Sequence, residues 1–276
     1  MRHMPEMHLS EIYIYPIKSL GGISVQQAEV EDRGLKYDRR WMLVDEAGKF
    51  LTQRQHAQMA LLQVALQDDG LLVTHKQDLL KPLFIPFEAK EGSGREVEVT
   101  VWGDTVKALE VNGNTSAWFT DALGMPARLV RMLEHSKRLV DPEYAAQGEL
   151  VSFADDFPFL LIGQASLDDL NSRLKEEQVP MNRFRPNFVF VGGQPFEEDT
   201  WGHFNIGSLP FYGAKPSARC VVTTINQDTS EKGQEPLRTL STYRLKNNKV
   251  MFGQNLLHSA NGQVAVGDSI HIHSRH

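Results

Sequence analysis

The chain carries one cysteine, Cys220, in the stretch Lys215-Pro216-Ser217-Ala218-Arg219-Cys220-Val221-Val222-Thr223-Thr224-Ile225-Asn226. A lone thiol forms no intramolecular disulfide. Its available chemistry is that of a thiolate, metal ligation or attack on an electrophile, and the preceding Arg219 favours that ionised form. The bland alternative is a small buried hydrophobe, the commonest use of a free cysteine. Cationic residues recur where loops meet expected strands: Lys18, Arg39 and Arg40, Arg54, Arg183 and Arg185. Gathered around one point, such groups bind an anion, arginine in a bidentate fork. Taken singly, each is more often a solvated surface residue.

Other chemistries find less support. His271 and His273 lie two apart on an expected strand and share a face, with His258 and His276 as further candidates for a metal site. No Asp, Glu or Cys is placed to fix the ligand count, so a polar strand edge and loose terminus is the favoured reading. The chain has no phosphate-binding glycine loop, no His-Glu-x-x-His and no paired-cysteine metal motif. Gly163-Gln164-Ala165-Ser166 lacks the glycines that flank a nucleophile elbow.

The elements that must position these residues read mainly as strands. Residues 11–15 form one, ended by Pro16. Residues 40–44 and 49–52 flank a hairpin turn at 45–48, and 68–70 make a second turn before 71–73. Residues 96–101 alternate strictly, with a loop at 92–94 before them. Cys220 is placed between a proline-containing loop and a β-branched run, 221–225, read as a strand. Residues 188–191, 264–266 and 270–273 close the pattern, the last two around a turn at 267–268. Helices are expected at 115–123, capped by Asn114 or Thr115 and stopped by Gly124, and at 166–177, capped by Ser166. Short strands joined by short turns point to a mainly β, α+β chain of barrels or sandwiches with inserted helices.

The bulk numbers narrow the function classes. The length suits one large or two ordinary domains. A net charge of −6 argues against a nucleic-acid partner. No apolar run approaches the roughly 18 to 20 residues of a membrane span, and residues 1–10 carry no secretory core. One cysteine fits a reducing compartment, so a cytoplasmic protein is expected.

Read together, several segments resemble one family. Tyr15-Pro16-Ile17-Lys18-Ser19, Tyr37-Asp38-Arg39-Arg40-Trp41 and Thr52-Gln53-Arg54-Gln55 are similar to the N-terminal β-barrel domain that accompanies MOSC domains. Phe157-Pro158-Phe159, residues 165–171, Arg183-Phe184-Arg185-Pro186-Asn187, residues 218–224, 235–240 and Phe252-Gly253-Gln254-Asn255 resemble the MOSC domain itself. The order holds along nearly the whole chain. The resemblance implies an N-terminal β-barrel over 7–122 and a MOSC-type β-barrel over 123–276. It extends to the mitochondrial amidoxime reducing components and their bacterial relatives.

That resemblance implies a molybdenum–pyranopterin cofactor between the two domains, with Cys220 as catalytic thiolate and metal ligand. Lys18, Ser19, Arg39 and Arg185 would hold its phosphate and pterin, and Arg219 would join them. Phe157, Pro158 and Phe159 would set backbone groups against the pterin, with Asn187 and Asn255 lining the pocket. Arg54 and Arg183 are carried only as anion neighbours. Ala218 stands where relatives often have serine, with Ser217 one earlier, so a hydroxyl near the metal is missing or shifted. One cysteine cannot hold the iron–sulfur module that some bacterial relatives carry. The implied activity is reduction of small N-hydroxylated substrates, fed by a separate electron-donor protein. The alternatives are a cofactor-binding or sulfur-carrying protein without turnover, with a persulfide on Cys220, and a plain scaffold in which the thiol is inert. A pyridoxal phosphate role is discounted, since no lysine stands in a Schiff-base context.

Overall fold

A computed structural model describes residues 6–87, 94–145, 147–175 and 177–276. Most of the expected loop at 92–94 lies outside these. Strands dominate. The largest sheet runs, from one edge to the other, Ile270–Ile272, His203–Ile206, Leu209–Arg219, Lys249–His258, Phe159–Gly163, Phe188–Val191, His8–Ile14 and Ile23–Val25. Its pairings are antiparallel except that of Phe159–Gly163 with Phe188–Val191. The first strands of the chain thus close a sheet built otherwise from its second half. Gly262–Ala265 pairs in turn with Gln27–Glu31. The remaining N-terminal strands form a four-stranded sheet (Trp41–Val44, Arg128–Met132, Asp104–Glu110, Arg95–Val101) and a three-stranded one (Leu62–Gln67, Gly70–His75, Leu83–Pro86).

Aromatic side chains fill the space behind the large sheet. Phe159, Phe188 and Phe211 are all at most 1% exposed, with ring centroids 5.4 to 5.6 Å apart. Each such ring stabilises the fold by roughly 1.5–3 kcal/mol through burial. Their weight anchors the strands on which the candidate site residues stand.

The helices form where periodicity placed them, with different ends. The first is Gly113–Leu123. Asn112, not Asn114 or Thr115, caps it by accepting from the Thr115 amide at 3.1 Å, and Gly124 ends it in the left-handed region. The second is Gln164–Arg173 and stops four residues short of expectation, because Leu174 turns extended at ψ 132. Ser166 lies inside its first turn and is fully buried.

The segment around Cys220 reverses the sequence reading. The supposed proline loop is the end of the eleven-residue strand Leu209–Arg219, and the β-branched run Val221–Thr224 is a 3-10 turn. Register shifts between Gly213 and Lys215 and between Pro216 and Ala218 accommodate a proline that has no N–H to pair. In the turn, the Thr223 hydroxyl donates to the Cys220 carbonyl at 3.0 Å and the Thr224 hydroxyl to the Val221 carbonyl at 2.8 Å. These side-chain bonds to the backbone three residues back outweigh β propensity.

Candidate functional site

Cys220 stands at the junction of that strand and turn and is partly exposed. Arg219 folds back beside it. Its guanidinium donates to Ser217 Oγ at 3.0 Å and to the Phe184 carbonyl at 2.6 Å, while its buried Nε has no partner among the described residues. Burial pushes Arg219 below the usual arginine range, and its electrostatic neighbours include Cys220, Asp155 and Arg39. The Ser217 hydroxyl thus accepts from the arginine.

Three of the cations predicted from sequence, Lys18, Arg39 and Arg185, gather around Tyr15 and Asp155, which are electrostatic neighbours of Arg219. Arg39 and Arg185 place their guanidinium carbons 4.1 and 4.3 Å from the centroid of the same ring, that of Tyr15. Burial pushes the Tyr15 phenol up to about 12 and lowers Arg185 to about 10, each opposing the other's shift. Arg39 is paired with buried Asp38 at 2.6 Å. The Arg185 guanidinium makes no hydrogen bond or ion pair among the described residues, and neither does the Ser19 hydroxyl. Ser19, Arg39 and Arg185 have φ of 69, 48 and 56°. Non-glycine residues in this left-handed region carry strain of about 1–3 kcal/mol each, which concentrates at ligand sites.

Lys18 completes the group. It is 5% exposed, and its ammonium donates to the Phe153 carbonyl at 2.7 Å and to Asp155 at 2.5 Å. Burial lowers its pKa while Asp155 raises it, and Arg39 is among its electrostatic neighbours. Arg138, absent from the sequence reading, holds the Asp155 segment in place. It donates to the carbonyls of Ser152, Ala154 and Asp155 and pairs with Asp104 at 2.6 Å. Nothing in the spacing of residues 138 and 152–155 signals this clamp.

The other predicted residues take supporting places. Asn187 is buried and its amide staples three segments, accepting from Arg39 and the Leu160 amide and donating to the Tyr13 carbonyl, each at 3.2 Å. Phe157, Pro158 and Phe159 are buried, and Phe157 packs edge-on to Tyr144. Asn255 is partly exposed and lies in register with Leu160 and Lys215. Arg183 sits behind the Cys220 turn and donates to the Thr223 carbonyl at 2.8 Å. Arg54 stacks 4.4 Å from the Trp102 ring, whose N–H donates to Asp155. Arg40 pairs with Glu31 instead. His273 and His276 spend their ring nitrogens on Asn205 and the Gly213 carbonyl, and no group of three metal-ligating side chains exists among the described residues.

The arrangement offers one soft sulfur donor next to Arg219, with Lys18, Arg39 and Arg185 around the neighbouring Tyr15 and Asp155; among the described residues neither Arg185 nor Arg219 has an ion-pair partner. A ligand that carries several negative charges and brings its own remaining metal donors fits it. A metal ion held by protein side chains alone does not. Among the described residues no helix is long and apolar enough to cross a membrane.

Residues 6–126 match the MOSC N-terminal beta barrel domain and residues 149–271 the MOSC domain. The chain is similar to mitochondrial amidoxime reducing component 2 of Rattus norvegicus, with 34% identity over 95% of this chain and 82% of that protein. Mitochondrial amidoxime-reducing component 1 of Mus musculus is 32% identical over 96% of this chain and 82% of its own length. Molybdenum cofactor sulfurase of Oryza sativa subsp. japonica is 31% identical over 90% of this chain, which spans only 32% of that longer protein. The chain belongs to the MOSC family, with a MOSC N-terminal beta barrel domain followed by a MOSC domain.

Proposed function

We propose that this protein binds molybdenum–pyranopterin cofactor and reduces N-hydroxylated compounds at a Cys220-ligated molybdenum. The observation that carries the reading is the gathering of Lys18, Arg39, Arg185 and Arg219 around Tyr15 and Asp155, with Arg219 next to the single thiol and Arg185 without an ion-pair partner among the described residues. The residues fit the group. The Arg185 guanidinium, the buried Arg219 Nε and the Ser19 hydroxyl, without hydrogen-bond partners among the described residues, are donors that suit an anion. Backbone groups of Phe157, Pro158 and Phe159 would lie against the pterin, their rings being packed into the protein, and Asn187 and Asn255 would line the pocket.

When bound, the cofactor supplies two-electron oxygen removal, R–NHOH plus two protons and two electrons giving R–NH2 and water. The chain's own residues do the rest. Lys18, Arg39 and Arg185 would bind and orient the anionic end. Arg219 would set a positive charge beside the Cys220 sulfur. Asp155, ionised at neutral pH, would anchor Lys18 and hold no proton to donate. A separate protein would return the electrons, and the lone thiol supports a reducing, cytoplasmic setting.

The test is metal and pterin analysis of protein purified from cells that make the cofactor. Near-stoichiometric molybdenum, lost in Cys220→Ala, supports the reading. A persulfide on Cys220 without bound metal would replace it with sulfur transfer. Absence of both from the wild-type protein would end it.

A further inference from the structure

Two buried glutamines tie the Lys18–Ser19 segment to the Cys220 turn. Gln53 is 0% exposed and Gln227 6%. Their carboxamides pair reciprocally. Gln53 Nε2 donates to Gln227 Oε1 at 3.2 Å, and Gln227 Nε2 donates to Gln53 Oε1 at 3.0 Å. Each amide nitrogen also reaches outward. Gln53 Nε2 donates to the Ser19 carbonyl at 2.7 Å, and Gln227 Nε2 to the Ile225 carbonyl at 3.2 Å. Flipping either amide would set its oxygen against a carbonyl, so the network itself determines both orientations.

The two ends of this chain of bonds are the informative part. Ser19 follows Lys18, in the strained loop that contributes two of the anion donors. Ile225 closes the 3-10 turn that begins at Cys220, its amide donating to the Val222 carbonyl at 3.1 Å. Lys76 pins the far side by donating to the Gln227 carbonyl at 2.6 Å. The partners are 174 residues apart in sequence and come from the two halves of the chain. An apolar pair would fill this space as well, but without direction. What the amides add is a fixed separation.

We propose that Gln53 and Gln227 are positioning residues that set the distance between the anion-binding loop and the thiol, so that one rigid ligand is gripped at both ends at once. The inference rests on the function proposed above. A ligand held at two preset points gains affinity that two freely moving points would forfeit.

Replacing each glutamine by methionine, singly and together, tests it. Gln53→Met or Gln227→Met leaves a buried carboxamide without its partner and lowers the urea midpoint. The double variant removes both amides and regains part of that loss. Molybdenum and pterin per protein after gel filtration should fall about tenfold in all three variants, with no recovery in the double. Cofactor content that recovers with stability, or a double variant that keeps wild-type content, overturns the positioning role and leaves the proposed function standing. Wild-type protein that holds neither molybdenum nor pterin overturns the proposed function, and this inference with it.

Discussion

Lys18 and Asp155 meet at 2.5 Å across 137 residues of sequence, with the lysine side chain 6% exposed and the carboxylate 58%. The asymmetry decides what each partner is worth. Removing a partner from a buried charge is far more damaging than removing one from an exposed charge.

Asp155→Ala should therefore destabilise the protein by about 2–3 kcal/mol, and Lys18→Met by less than about 1 kcal/mol. Inorganic phosphate should restore part of the loss in Asp155→Ala by supplying Lys18 with a new counter-ion. Partial desolvation would raise the Asp155 carboxyl, but Lys18 outweighs it and holds the group below the usual carboxylate range. With the folded pKa depressed, this stabilisation is present at neutral pH and is lost as the solution becomes strongly acidic. Urea unfolding with and without phosphate measures all of this. Equal losses in the two variants would refute the asymmetry.

Arg185→Gln should separate stability from binding. The guanidinium is desolvated, lies over the Tyr15 ring and makes no hydrogen bond or ion pair among the described residues, with Arg39, Asp38 and Asp155 as its charged neighbours. Removing it should leave the cofactor-free protein unchanged or up to about 1 kcal/mol more stable, while cofactor retention falls at least about tenfold. A loss of stability in the cofactor-free variant, read from denaturant midpoints at low salt, would mean that Arg185 holds the fold instead.

Glu198 gives the cleanest pH prediction. It is fully buried and bonds the Gly163 amide and the Ser166 hydroxyl at the start of the helix Gln164–Arg173. Burial pushes its carboxyl up to about 7, against these hydrogen bonds. Because the folded pKa is raised, the favourable contribution is complete below the ordinary carboxylate pKa. It disappears as pH climbs through about 7. Stability should fall by on the order of 3 kcal/mol between pH 4.5 and 8 from this group. Glu198→Gln mimics the protonated form and should flatten that slope, being more stable than wild type at pH 8 and similar at pH 5. Parallel slopes for the two proteins would refute it.

The family motifs were legible because they are local. Cys220 next to Arg219, Lys18 next to Ser19 and Arg39 after Asp38 are adjacent pairs, and a linear reading finds adjacent pairs. Helix existence and the Gly124 stop were legible for the same reason. The strand and the turn flanking Cys220 were read in reverse. Valine and threonine signal strand by propensity, whereas the threonine hydroxyls close a turn only once the Cys220 and Val221 carbonyls are within reach.

The amino-acid sequence by itself determined which groups can act: one thiol, a set of cations, and the motifs that name a family. Only the tertiary structure decided how they meet. It made Asn187 a staple, gave Lys18 its counter-ion, left Arg185 without one, and joined Ser19 to Ile225 through two glutamines. Contacts across more than a hundred residues depend on how sheets from both halves pack and which carbonyls remain unpaired. No local pattern encodes that, because the partner is chosen by the packed neighbourhood rather than by spacing.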